Sequence, residues 1–276
     1  MISYDYEPIY ALGSMLGISD ARGFLRLMEQ VEVFGLDAIS TGVVLAWATE
    51  AQGRGVISEK ETMSLKFSWG DYATFMKAVK LIVKQPNDFY SALAQGVRYA
   101  SAKYGGTEFA LSLNGNEIPG YHTGPGAHIG VMVGARHSHL DNAGYSIDQK
   151  ILPKNSVSPD ELAVALLTEE RWRQILSSLV VCFFARGVYQ QDVVLKTLGV
   201  AGFSLTLENL DHIGEDIHRN KYRFKLREGF SLEDLHIPER ILDTTTPFGK
   251  FDEPYVRSVV EHFKKLLAIR ADGRSI

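Results

Sequence analysis

Cysteine is almost missing from this sequence: Cys182 is the single one among 276 residues. An internal disulfide is therefore impossible, and a zinc site built on several thiolates is excluded. An iron–sulfur cluster, which takes about four thiolates, cannot be held by this chain alone. Long hydrophobic runs are missing as well. No apolar stretch approaches the roughly 20 residues needed to span a bilayer. Residues 1–20 carry Asp5, Glu7 and Asp20 and lack a basic start followed by an apolar block, so they do not read as a signal peptide. Basic charge is not in excess either. Lys and Arg number 29 against 33 Asp and Glu, for a net charge of −4, which removes the electrostatic basis for nucleic-acid binding. The expectation is a cytoplasmic protein without a nucleic-acid or membrane partner. No Gly-x-Gly-x-x-Gly, phosphate-binding loop or Gly-x-Ser-x-Gly elbow occurs.

What is present is 45% hydrophobic and 22% charged, enough apolar material for one large core or two small ones. Its periodicity is helical. Ser19-Asp20 can cap a helix with Phe24, Leu25, Met28, Val31 and Phe34 at spacings of three and four, ended by Gly35. Further helices are predicted over 41–52, over 58–66 (a Ser58/Glu61 capping box), over 71–84 and over 88–104. Residues 107–126 are rich in Gly and Pro and read as loop with a short strand at 109–113. A short helix fits 127–136, and 141–157 reads as irregular. Ser158-Pro159-Asp160-Glu161 is a strong helix start, opening a helix to about Phe184. Helices over 190–198, 204–226 and 254–269 follow. The fold class is mainly α, with a boundary near 150–157 and helical domains at 1–150 and 151–276.

His122, His128, His137, His139 and Asp141 form the densest group of potential metal ligands, and His137 and His139 share one side of an extended segment. A hydrolase built on these histidines is one reading. Histidines that cap, hydrogen-bond or face solvent in a Gly-rich loop are the other. Trp47, Trp69 and Trp172 read as core or interface anchors.

Four segments, in order, carry a resemblance. Residues 6–14 read Tyr-Glu-Pro-Ile-Tyr-Ala-Leu-Gly-Ser, and residues 35–42 read Gly-Leu-Asp-Ala-Ile-Ser-Thr-Gly. Residues 116–121 read Asn-Glu-Ile-Pro-Gly-Tyr. Residues 227–230 read Arg-Glu-Gly-Phe and are followed by Ile237-Pro238-Glu239-Arg240. Together they resemble the C-terminal half of the tungsten-containing aldehyde ferredoxin oxidoreductase family. That resemblance implies two mainly helical domains. It also implies tungsten between two pterin dithiolenes (a molybdopterin-type cofactor) beside a 4Fe-4S cluster, with aldehydes oxidised to acids and electrons passed to ferredoxin.

The family's two pterin motifs, Asp-x-x-Gly-Leu-Asp and Asp-x-x-Gly-Leu-Cys, fall on this sequence as follows. The first matches Glu32 through Asp37, with Gly35 and Asp37 intact. The second falls on Ser177 through Cys182; the thiol is kept, the acid is Ser177 and the glycine is Val180. A carboxylate suits pterin ring nitrogens, a glycine admits close approach of the ring, and a thiolate ligates iron. Valine's branched side chain opposes that approach. Glu7 matches a candidate proton acceptor near the metal, and His139 a histidine that hydrogen-bonds the metal oxygen or substrate. The family's Glu-x-x-His metal pair aligns with Arg26 and Glu29 and is not kept. Glu7 also suits a helix start, and Leu179 through Phe184 around Cys182 read as core, where a free cysteine packs as a small hydrophobe.

The family's β-rich N-terminal domain and its Cys-x-x-Cys-x-x-x-Cys run do not occur in this sequence. The resemblance therefore predicts an N-terminal domain or partner subunit that completes the enzyme, an oligomeric assembly, and inactivity of this chain alone. The competing expectation is a catalytically dead helical binding or assembly module.

Overall fold

The computed structural model describes residues 4–153, 157–185, 187–233 and 235–269. Among them are thirteen α-helices and one two-stranded hairpin, so the mainly-α expectation holds. The chain divides into two compact units: 1–121 with 236–244, and 122–235 with 245–276.

The first unit contains α1 (Tyr6–Leu12), α2 (Ala21–Val33), α3 (Ala38–Gly53), α4 (Tyr72–Lys84), α5 (Asp88–Leu93), α6 (Val97–Tyr104), the hairpin β1 (Ser112–Leu113) and β2 (Asn116–Glu117), and α12 (Glu239–Asp243). Local chemistry sets the helix starts. The Asp20 carboxylate accepts from the Arg22 and Gly23 amides, Asp37 from Ser40, Asp71 from Thr74 and Asn87 from Tyr90. The predicted 88–104 helix is broken, because the Glu117 carboxylate accepts from the Val97 amide at 2.9 Å and starts α6 as a separate helix. The predicted 58–66 helix is only a series of turns. Ser58 and Glu61 do form the capping contacts, but Met63 and Ser64 take left-handed φ values of 53° and 64° and end it. Helix α3 is buried around much of its circumference and α1 lies directly against it. A side chain at Gly42 would come within 2.3 Å of the Ala11 carbonyl. Leu12, Leu27, Val44, Trp47, Phe75 and Tyr90 are core residues of this unit.

The second unit contains α7 (Pro125–Val133), α8 (Gly144–Ile151), α9 (Pro159–Ser178), α10 (Gln191–Val200), α11 (Leu207–Arg227) and α13 (Glu253–Ile269). Helix α9 packs on α11 and α13, and α7 packs on α8. Residues 141–157, read as irregular, contain α8. One of its side chains, Asp148, caps α7 from across the unit, accepting from the Gly126 and Ala127 amides at 2.9 and 2.8 Å. Nothing local in the sequence marks that pairing. Compactness thus places 122–150 with the second unit, whereas the sequence pattern grouped it with residues 1–121; the contacts of α7 with α8, α9 and α13 are the reason.

Polar groups fasten the end of α7. The Glu170 carboxylate accepts from the Ala135 amide at 2.7 Å, Tyr222 donates to the Val133 carbonyl, and the Lys225 ammonium donates to the Gly134 carbonyl at 2.8 Å. The two carbonyls are groups that the helix end leaves unpaired, and the Ala135 amide lies just beyond it. Among the described residues, no single helix is long and apolar enough to cross a membrane.

Candidate functional site

Glu7 lies in the first turn of α1, half-buried. The Tyr121 hydroxyl donates to its Oε1 at 2.6 Å across 114 positions, and the Tyr6 hydroxyl donates to the Gly120 carbonyl at 3.3 Å. The Tyr6 and Tyr121 rings lie 5.1 Å apart. Burial and then the Glu7 charge push both Asp5 and Tyr6 above their ordinary pKa ranges. The segments at 6–14 and 116–121, matched separately in the sequence, therefore form one acidic, tyrosine-walled corner.

Helix α3 gathers the other segments of this unit. The Ser40 hydroxyl donates to Glu117 Oε2 at 2.9 Å, joining residues 35–42 to the hairpin. Arg240 makes a two-pronged pair with Glu50, both contacts at 2.6 Å, joining residues 237–240 to α3 across 190 positions. Burial alone would raise the Glu50 carboxyl, but Arg240 and Arg54 outweigh it and hold it below its usual range. Tyr121, Glu117 and Arg240 thus emerge as organising residues. Tyr121, Glu117 and Arg240 lie in matched segments, but no spacing rule reveals their partners.

Between α2 and α3 the chain turns through Gly35. Its amide donates to the Glu32 carbonyl at 3.0 Å, the Leu36 amide donates to the Val31 carbonyl at 3.1 Å, and φ at Gly35 is +67°. This is the Schellman ending of a helix. A Cβ at Gly35 would meet nothing within 4 Å, so the space beside the turn is open. Glu32 and Asp37 are both exposed, and Asp37 Oδ1 accepts from the Ser40 amide at 2.7 Å. A cavity of about 380 Å³ adjoins the turn, lined by Phe34, Leu36, Asp37, Ser40 and residues of α3, α4 and the 93–96 segment.

The second motif has the same backbone. The Val180 amide donates to the Ser177 carbonyl at 3.1 Å, the Val181 amide to the Leu176 carbonyl at 3.3 Å, and φ at Val180 is +56°. A valine occupies the left-handed position, with its side chain 90% exposed. Helix α9 consequently stops at Ser178, before the Phe184 read from the sequence.

Cys182 is exposed, which corrects its reading as a buried cysteine. After the left-handed turn the apolar stretch splits: Leu179, Val180 and Phe184 are exposed, the last at 86%, while Val181 and Phe183 pack against the Ile175, Leu176, Val194 and Leu210 cluster. Ser177 is half-buried. Arg26 and Glu29 are exposed on α2.

The histidines do not converge. His122 Nδ1 and His128 Nε2 lie 2.8 Å apart in a hydrogen bond with each other, and His137 Nδ1 is 3.1 Å from the Val131 carbonyl. Asp141 is taken by Arg136, at 2.7 Å, and by the Arg136 and Ser138 amides. His139 is half-buried, 6.3 Å from the Tyr145 ring. Burial, then the neighbouring His122, lowers His128 to about 3; burial, then Lys225, lowers His137 to about 4. Among the described residues no three His, Cys, Asp or Glu side chains are placed to hold a metal ion.

Glu7, Glu32, Gly35 and Asp37 therefore belong to the first unit, and His139, Ser177 and Cys182 to the second. The two helix ends share one turn, the first beside exposed carboxylates and the second beside an exposed thiol. Residues 2–269 match the family described as aldehyde ferredoxin oxidoreductase, domains 2 and 3, and the chain belongs to that family. It is 28% identical to the tungsten-containing aldehyde ferredoxin oxidoreductase of Thermococcus kodakarensis and 27% identical to that of Pyrococcus furiosus. Each match covers 98% of this chain and 46% of the relative. It is 28% identical to the WOR-like subunit of an aliphatic sulfonate oxidoreductase of Pyrococcus furiosus, over 76% of this chain and 32% of that protein. The chain spans about half the length of the first two relatives.

The first motif fits a planar pterin: the turn is open and two carboxylates stand exposed beside it. The second motif fits in part. It keeps the turn and an accessible thiol, but it has no carboxylate at Ser177, and the Val180 side chain fills the kind of space that Gly35 leaves open.

Proposed function

We propose that this chain is the helical half of a tungstopterin oxidoreductase that converts aldehydes to carboxylates and passes electrons to ferredoxin, and that it is inactive alone. An N-terminal domain or partner subunit would supply the β-rich base under the pterins and the three cysteines that, with Cys182, hold a 4Fe-4S cluster. The observation that carries this reading is the shared turn at Gly35 and Val180, with Asp37 and Cys182 each two residues further on. When bound, the metal cofactor would supply the oxygen-transfer and two-electron chemistry. Glu32 and Asp37 would accept hydrogen bonds from ring nitrogens of one pterin. Glu7, held by Tyr121, would take the proton from an attacking water, and His139 would donate a hydrogen bond to the substrate oxygen. Cys182 would ligate iron through an exposed thiolate.

A second reading has its own support. The exposed Val180 in place of a glycine favours a catalytically dead assembly module of the same family. Metal analysis separates the two. The chain is purified anaerobically, alone and co-expressed with an N-terminal domain of the family that carries the cysteine run. Tungsten or molybdenum with about four irons per complex and aldehyde-dependent ferredoxin reduction is the expected result. A stable complex without metal would sink the enzymatic reading and leave the module.

A further inference from the structure

The second unit contains a cavity of about 840 Å³ that neither motif lines. It lies along α11 and is lined by Ala135, Arg136, Ile217, Lys221, Phe224, Lys225 and the turn at 228–230. Its size is that of a small-molecule site. Its charge is unbalanced. Arg136 pairs with Asp141, but neither Lys221 nor Lys225 forms an ion pair among the described residues: Lys221 donates to the Gln174 side-chain oxygen and Lys225 to the Gly134 carbonyl. These two ammonium groups sit four residues apart on one helix, a spacing at which like charges repel. Lys225 is only 8% exposed, and its Nζ stands 3.6 Å from the centre of the Phe230 ring. A buried ammonium without a directly contacting carboxylate is costly. Burial moves its pKa down to about 7, with the Glu170 and Asp141 charges opposing, and Lys221 is lowered chiefly by burial as well. Glu228, the remaining carboxylate on the cavity wall, is exposed at the rim beside Arg227.

We propose that this cavity binds a small carboxylate with an aromatic or branched apolar body, its head between Lys221 and Lys225 and its body against Ile217, Phe224 and Phe230. A monoanion supplies the ion pair that neither lysine has among the described residues. The apolar walls, including a Phe224 ring that is 58% exposed without ligand, give the body its contact. The inference stands apart from the tungstopterin reading, since none of these residues belongs to either pterin motif.

The test is calorimetric titration of the full chain with naphthylacetate, with its uncharged isostere naphthylacetamide, and with inorganic phosphate. Naphthylacetate is expected to bind roughly tenfold or more tighter than the amide, the difference one charge-assisted hydrogen-bond pair makes, and phosphate is expected not to displace it. Lys221→Met, which keeps the apolar stem, should weaken naphthylacetate roughly tenfold at a urea concentration where the variant is fully folded. Carbon NMR of the Lys225 ε-methylene should show its titration moving to higher pH on binding. Equal affinity for acid and amide, absence of binding at millimolar naphthylacetate, or full affinity in Lys221→Met would each overturn the proposal. Displacement by phosphate would overturn the apolar-body requirement.

Discussion

Val180 holds the same left-handed turn position at the end of α9 that Gly35 holds at the end of α2, with φ of +56° against +67°. Both helices end with the same pair of backbone hydrogen bonds, although one of the two residues is β-branched. A turn kept by a residue that resists it is strain held by the surrounding structure.

That strain is measurable. Val180→Gly relieves a left-handed penalty of about 1–2 kcal/mol and pays back about 0.5–1 kcal/mol in unfolded-chain entropy. A net gain of about 0.5–1 kcal/mol in urea unfolding is the expected outcome. Because Val180 is 90% exposed, no lost packing offsets it. A destabilised Val180→Gly would show that the valine makes contacts this turn does not explain.

The exposed Cys182 thiol should react in the native chain. Labelling with an aromatic disulfide reagent is expected to go to completion without denaturant, and to be blocked in any complex where the thiolate ligates iron. A thiol that reacts only in urea would restore the buried reading.

Acid should destabilise the second unit through two histidines. His128 and His137 titrate near 3 and 4 when folded and near 6.5 when unfolded. The folded state therefore binds fewer protons, and stability is full above 6.5 and falls as pH drops toward 4, by up to about 1.4 kcal/mol per pH unit for each histidine. Asp148 works the other way. Burial raises it to about 6, so its protonation favours the folded state and offsets one histidine's loss between pH 6 and 4. Urea midpoints at pH 7, 6 and 5 should fall in step, and Asp148→Asn should steepen the decline between 6 and 5.

The Arg240–Glu50 pair should be worth more than an ordinary surface ion pair. It is two-pronged, and the Glu50 side chain is only 17% exposed. Arg240→Ala is expected to cost about 1–2 kcal/mol, discounted for the partly exposed guanidinium. Glu50→Ala in the same background should add little, which a double-mutant cycle reads directly.

In an assembled, metal-loaded enzyme, Glu7→Gln should lower kcat roughly 100-fold or more if Glu7 is the proton acceptor, with an unchanged circular dichroism spectrum. Tyr121→Phe should lower it less, since it removes one hydrogen bond and leaves the carboxylate.

Much of the fold was legible. Asp20 and the Ser158–Glu161 box marked helix starts because capping is a bond between near neighbours in the chain, whereas the Asp37 cap, which starts α3 at Ala38 and not at 41, was not read. Two features escaped a local reading for one reason. The break at Val97 depends on Glu117, and α7 depends on Asp148 for its cap, and neither partner is nearby in sequence. At the site, the motif residues were legible one by one, and the exposure of Cys182 was not. An apolar stretch reads as buried unless the turn before it is known to point outward.

The sequence by itself determined the helical class, the family and the identity of the candidate chemical groups, because capping, periodicity and short motifs are properties of neighbours along a chain. Only the tertiary structure decided that Tyr121 holds Glu7, that Arg240 returns to Glu50 on α3, and that two lysines of α11 line one cavity with no ion pair among the described residues. Those are contacts across 114 and 190 positions and the burial of charge, and both depend on how packed helices close off water rather than on the order of residues in any one of them.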